Sequence, residues 1–241
     1  MEKYVETPKT AKQQHAENPA LPVVTVDLGV NRLAVMGAFT DHRLIATQFI
    51  SGGALNHQRH LLLNAINQKR VQSGRLQKNV PDNVNLWQKV RHLDDNAARQ
   101  VARQIIDFAM SHEAKVIVFE YLRQYQAPKE KMSRAGRKNH KRAYWLRGQI
   151  IQWARDLGFR EGILTVERNP AYTSQMCPHC PDDYRYVGTR VQHTFTCSNP
   201  NHSYAADADF VGMMHLYRKW AGTFTYPSQK RDDLKPAQAH V

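Results

Sequence analysis

Two acids stand one residue apart in SYAADADFVGMM, residues 203–214, and two others close apolar runs, Asp27 at the end of VVTVD and Glu120 at the end of VIVFE. A lone acid after a strand is usually a turn residue facing water. Three carboxylates converging on one sheet edge are different, because like charges brought together need cations to hold them. All-oxygen ligands select hard ions such as Mg²⁺ or Mn²⁺. Two such ions, about 3.5–4 Å apart, can activate a water, orient a phosphodiester and stabilise a leaving 3′ oxygen. The chemistry implied is phosphodiester hydrolysis by Asp27, Glu120 and one acid of the 203–214 stretch.

Helix geometry separates Asp207 from Asp209. At 100° per residue, Phe210, Met213, Met214, Leu216, Tyr217 and Trp220 form an apolar stripe, with Asp209 roughly 60° from its centre and Asp207 roughly 100° away. Residues two apart do not share a helix face. Asp209 is therefore the expected ligand. Asp207 is expected to precede the helix proper and accept from the amides of Asp209 or Phe210 as an N-cap.

Just upstream lie the chain's three cysteines. CPHC supplies Cys177 and Cys180, and FTCSNPNH supplies Cys197 and His202. A Cys₃His set of this spacing suits a closed, structural tetrahedral zinc site. His193 competes as fourth ligand, and His179 is expected to be exposed. An odd number of cysteines in one short window does not read as a disulfide framework; the alternative to zinc is three buried or reactive thiols.

Charge points to the substrate class. The 241 residues carry 34 Lys+Arg against 21 Asp+Glu, a formal +13, which favours a polyanionic partner. Eight basic residues crowd one segment against the single acid Glu130: Lys129, Lys131, Arg134, Arg137, Lys138, Lys141, Arg142 and Arg147. Such a run is often only a solvated loop. Here it follows the Glu120 strand, where it could contact phosphates beside the cleavage site. Tyr144 and Trp145 could stack on bases, or pack as core at helical spacing with Ile150.

The elements that must position these groups are legible in outline. With 41% hydrophobic residues the chain can bury a sizeable core. LPVVTVDLGV, RLAVMGAFT and HRLIATQFISGG read as three strands, the last two a hairpin around Asp41-His42. Helical periodicity covers about 56–78 and 85–112, the latter with Leu86, Val90, Leu93, Ala97, Val101, Ile105 and Phe108 on one stripe. KVIVFEYL and GILTVERNP are further strands, separated by a polar loop and a helix over AYWLRGQIIQWARDLG. The fold class is α/β, a mixed sheet flanked by helices. Residues 1–22 are expected to be a flexible lead, 23–221 one domain with a zinc ribbon inserted at 173–204, and 222–241 a flexible tail. No run approaches the ~18 apolar residues of a membrane span, and the cytosol, as of a prokaryote, is the expected compartment.

In order and spacing, VVTVDLGVNRLAV, VIVFEYL, NPAYTSQMCPHC and DADFVGMMHL resemble the three RuvC motifs and zinc ribbon of TnpB, the transposon-encoded RNA-guided nuclease, and of type V CRISPR effectors. The resemblance implies an RNase H-like (RuvC) fold whose three acids, here Asp27, Glu120 and Asp209, bind two Mg²⁺ and cut DNA in a path opened by RNA–DNA pairing. It covers about 23–220. Two features depart from the family pattern: Val211-Gly212-Met213 stands where Asn-Ala-Ala is usual, and a fourth cysteine near His202 is missing. Family members also carry an N-terminal lobe that holds guide RNA, whereas here the first motif starts at Val23. The expectation is a catalytic half whose guide RNA and lobe are supplied in trans or lost, with homo-oligomerisation left open. The alternative is a non-cleaving nucleic-acid-binding or assembly module of the same fold.

Overall fold

A computed structural model describes residues 20–29, 31–73, 82–121, 134–180 and 188–224, with Gln13, Glu17 and Asn18 besides; for 134–145 the backbone alone is described. Strands β1 (Val23–Asp27), β2 (Arg32–Thr40) and β3 (Arg43–Ser51) are followed by helices α1 (Gly53–Gln72) and α2 (Val84–Ser111). Then come β4 (Val116–Glu120), α3 (Arg134–Arg160), β5 (Leu164–Arg168), three short strands β6 (Thr189–Val191), β7 (Thr194–Thr196) and β8 (Ala205–Asp207), and α4 (Ala208–Ala221). Helix α3 starts well before the expected 143, inside the basic stretch expected to be a loop; Arg, Lys and Ala there are good helix formers. The flexible segments expected at 1–22 and 222–241 fall mostly outside the described residues, although Phe224 is buried edge-on against His215.

Five strands form one sheet in the order β3-β2-β1-β4-β5. The β1–β2 and β2–β3 pairs are antiparallel, whereas β4 runs parallel to both β1 and β5. Asp41 and His42 both adopt left-handed φ, 50° and 61°, as a two-residue hairpin turn matched to strand twist requires. A second, three-stranded antiparallel sheet, β6-β7-β8, has no counterpart among the strands expected from the sequence.

The central strands are apolar on both faces, and their side chains sort by parity. Val24 and Val26 of β1, with Ile117 and Phe119 of β4, pack against α2 and α3, where Ile105, Ile106 and Ile150 are fully buried. Val23, Val116 and Val118 point to the opposite face and meet Met213, Tyr217 and Trp220 of α4. Each fully buried aliphatic side chain contributes about 1.5–3 kcal/mol. The buried face of α2 also holds Asp94, which forms an ion pair with Arg59 of α1.

Helix α4 departs from the single stripe expected of it. Met213, Tyr217 and Trp220 face the main sheet, while Ala208 and Val211 face a cluster with Cys177 and Phe195. Gly37 of β2 permits the close approach: a Cβ there would lie 2.2 Å from Met213 Sδ. Thr25, also buried, donates from Oγ1 to the Met213 carbonyl at 3.1 Å. Gly37→Ala is expected to cost about 1–3 kcal/mol by overpacking. Urea unfolding measures this, and an unchanged midpoint would contradict the packing.

Candidate active site

Strand parity brings the two strand-end acids together. The parallel register pairs Val23 with Val116 through Val26 with Phe119; one step further sets Asp27 opposite Glu120. Adjacent strands lie about 4.8 Å apart. Asp27 shares the face of Val23 and Thr25, and Glu120 that of Val116 and Val118, which is the α4 face. The first turn of α4 adds Asp209. A Cβ on Gly212 would fall 2.5 Å from Asp27 Oδ2, so the Asp27 carboxylate lies directly against the helix. A Cβ on Gly29 would lie 3.7 Å from Asp209 Oδ2, placing that carboxylate beside the loop after β1.

Asp207 caps the helix. Its Oδ1 accepts from the amides of Asp209 (3.1 Å) and Phe210 (3.2 Å), and its other oxygen pairs with Arg32. Asp207 is also the last residue of β8, so strand passes into helix without a linker. At the other end Gly222 takes the left-handed conformation, φ 73°, usual for a helix stop.

The electrostatics are those of a site short of positive charge. Burial raises Asp27 well above the ordinary carboxylate range, and Glu120 and Asp209 raise it further, against the opposing fields of Arg147 and Arg190. Burial also raises Glu120, with a hydrogen bond from Thr173 and the charges of Arg147 and Lys219 opposing. Such a donor set fits hard divalent cations.

Several residues at the site were not singled out in the sequence. Arg190 of β6 reaches Asp209 Oδ1 with Nη2 at 3.2 Å. Thr173 Oγ1 lies 3.0 Å from Glu120 Oε1. Lys219 donates to the carbonyls of Asn169 (2.7 Å) and Ala171, and burial pushes its amine down to about 8, against the pull of Glu120. Nothing in the local sequence marks them, because each reaches the acids through a turn or a neighbouring sheet. Of the eight basic residues expected to meet nucleic acid, Arg147 lies near Asp27 and Glu120, and its Nε is buried with no hydrogen-bond partner among the described residues. The side chains of Lys129, Lys131, Arg134, Arg137, Lys138, Lys141 and Arg142 lie outside the described residues, as do those of Tyr144 and Trp145.

The Cys/His unit stands on the other side of α4. One ligand atom from each of Cys177, Cys180, Cys197 and His202 falls within 4.8 Å of the others. Cys180 Sγ and Cys197 Sγ are 3.8 Å apart, about the sulfur–sulfur edge of a zinc tetrahedron with bonds of about 2.3 Å. His202 Nε2 is buried without a hydrogen bond among the described residues, whereas His193 pairs with Asn31 at 3.2 Å on the hairpin between β6 and β7. Burial, with Cys197 and Cys180 nearby, pushes the Cys177 thiol up to about 12, so a thiolate there needs a cation's field. These observations fit zinc on Cys177, Cys180, Cys197 and His202. His179 is exposed, as expected. His215 ties the unit to α4: buried, its imidazole pushed down to about 4 mainly by desolvation, the neutral ring donates from Nε2 to the Met176 carbonyl at 2.8 Å.

Comparison with known proteins identifies the family. A TnpB-like protein of Aquifex aeolicus, aq_aa05, is 30% identical over 221 residues, covering 86% of this chain and 71% of that one. The chain belongs to the TnpB-like family. Residues 148–216 match the family described as Cas12f1-like, TNB domain. Among solved structures, Cas12f1 in a complex with single-guide RNA and target DNA superposes with a TM-score of 0.57 at 15% identity, over 81% of this chain and 49% of that one. The Alicyclobacillus acidoterrestris C2c1 protein with single-guide RNA gives 0.57 at 12% identity, over 83% and 39%. The chain thus spans half or less of the length of these solved relatives. The fold, a mixed sheet flanked by helices, is shared with these solved relatives. Among the described residues no helix is long and apolar enough to cross a membrane.

Two outcomes follow for this TnpB-like chain. Asp27 holds its proton more tightly folded than unfolded, so at neutral pH its charge opposes folding, and the cost is relieved as pH falls through the raised pKa. Asp27→Asn is therefore expected to melt higher than the unsubstituted protein at pH 7 in chelator. Added Mn²⁺ should stabilise the unsubstituted protein alone; equal stabilisation of both would place the ions elsewhere. For the second site, His202→Ala should lose bound zinc by elemental analysis while His193→Ala retains it.

Proposed function

We propose that this chain is the nuclease half of an RNA-guided, metal-dependent DNA endonuclease. The observation that carries the reading is the convergence of Asp27, Glu120 and Asp209 on one sheet edge, with Arg190 and Arg147 beside them. The solved complex of Cas12f1 with single-guide RNA and target DNA suggests the substrate class. The basic balance of +13 agrees with it.

The carboxylates of Asp27, Glu120 and Asp209 are the ligands for a pair of Mg²⁺ or Mn²⁺ ions, which when bound would supply Lewis acidity at the scissile phosphate and a water acidified enough to attack it. The net reaction is hydrolysis: water oxygen bonds to phosphorus, the bond to the 3′ oxygen breaks, and that oxygen leaves as a hydroxyl. Arg147 and Arg190 would face the strand's negative charge, their positive fields already acting on Asp27. Asp207 holds the first turn of α4 by its cap and so fixes where Asp209 stands. The zinc ligands Cys177, Cys180, Cys197 and His202 play a structural part, bracing the far side of α4. Guide RNA, with a lobe to hold it, is the expected partner.

Asp209→Ala is expected to reduce Mg²⁺-dependent cleavage of labelled single-stranded DNA by at least about 10²-fold, with an unchanged circular dichroism spectrum. Asp207→Ala should retain measurable cleavage at lower stability, the loss of a cap costing about 0.5–2 kcal/mol. Full activity in Asp209→Ala would sink the assignment. Binding of DNA without cleavage by the unsubstituted protein, in Mg²⁺ and Mn²⁺ alike, would leave a binding module on a nuclease fold.

A further inference from the structure

The turn between β5 and the first cysteine carries more constraint than a connection needs. Asn169 Oδ1 accepts from the Ala171 amide at 2.8 Å, and Tyr172 holds a left-handed φ of 67°, uncommon for a bulky residue. The Thr173 amide donates to the Pro170 carbonyl at 3.2 Å, and the Gln175 amide to the Tyr172 carbonyl at 3.2 Å. From α4, Lys219 Nζ pins the carbonyls of Asn169 and Ala171. What all this places is one hydroxyl. Thr173 is 2% exposed, and its Oγ1 lies 3.0 Å from Glu120 Oε1 and 2.8 Å from the Pro170 carbonyl.

A hydroxyl has one proton to give, so the two acceptors compete for it, and the charged carboxylate makes the stronger bond. Glu120 needs such an anchor. Its side chain has one more rotatable bond than aspartate, and it faces the like charges of Asp27 and Asp209, which favour any rotamer that swings it away. A donor fixed on Oε1 restrains that swing and leaves Oε2 to turn toward the other acids.

We propose that Thr173 is a positioning residue for the metal ligand Glu120, and that Lys219 acts through it by holding the 169–173 turn. The proposal rests on the metal-dependent reading above. Partners of this kind, bonded to a ligand rather than to the ion, typically change metal affinity by about 10–100-fold when removed.

The test is equilibrium binding of Mn²⁺ to the full chain without nucleic acid, with Asp27→Ala as the baseline for ions held elsewhere. Thr173→Val keeps the shape and removes the hydroxyl; it should weaken Mn²⁺ binding by about 10-fold or more while the zinc content stays constant. Thr173→Ser restores the hydroxyl and should bind within about 3-fold of the unsubstituted protein, far from the loss expected on removing the partner. Lys219→Met should weaken binding less, and little further when added to Thr173→Val, since both act through one bond. Thermal melts in chelator supply a metal-free check: the effect of Thr173→Val on stability should shrink in a Glu120→Gln background. Unchanged Mn²⁺ affinity in Thr173→Val, or equal losses in the Ser and Val variants, overturns the positioning role and leaves the metal reading standing. If the unsubstituted protein binds no more Mn²⁺ than Asp27→Ala, the metal reading falls and takes this role with it.

Discussion

Helix α4 is pressed on two sides at once, and the arrangement of the site follows from that. One side meets β1, β2 and β4 through Met213, Tyr217 and Trp220; the other meets the Cys/His unit through Ala208 and Val211. A helix so enclosed has little freedom to rotate about its axis, and protein interiors tolerate few voids that would let it. Its rotation sets where Asp209 points. Small residues make the enclosure possible: Gly37 admits Met213, and Gly212 leaves room for the Asp27 carboxylate.

Bringing three acids to one edge works against folding. Burial and mutual repulsion raise Asp27 and Glu120, and Arg147, Arg190 and Lys219 offset the repulsion only in part. Charges assembled for function at a cost in stability are a common feature of active sites. The cost is met by the apolar faces of β1 and β4, buried beneath helices on both sides of the sheet.

Much of this could be read along the chain. Apolar runs ending in acid mark β1 and β4, and the cysteine spacing marks the second cluster. The cap at Asp207 followed from helix geometry, because a strand-like residue before an amphipathic segment has free amides to satisfy. What stayed hidden was long-range. The wheel for α4 showed one apolar stripe because the second wall is built by Cys177 and Phe195, and nothing in residues 208–221 announces it. Thr173 and Arg190 sit among ordinary polar residues, and only the turn after β5 and the pairing of β6 bring them to the acids. The early start of α3 was missed because a run of Lys and Arg suits a solvated loop as well as a helix.

The junction of β8 and α4 sets a rule about length. With Asp207 ending the strand and Ala208 opening the helix, there is no slack to absorb a residue gained or lost. Each residue advances a helix by 100°. One added between the cap and Asp209 would turn the carboxylate more than a quarter of the way round the axis, away from Asp27 and Glu120, even with every cysteine in place. The connections elsewhere in the Cys/His unit can vary in size without that penalty; this one is a gauge whose setting is counted in single residues.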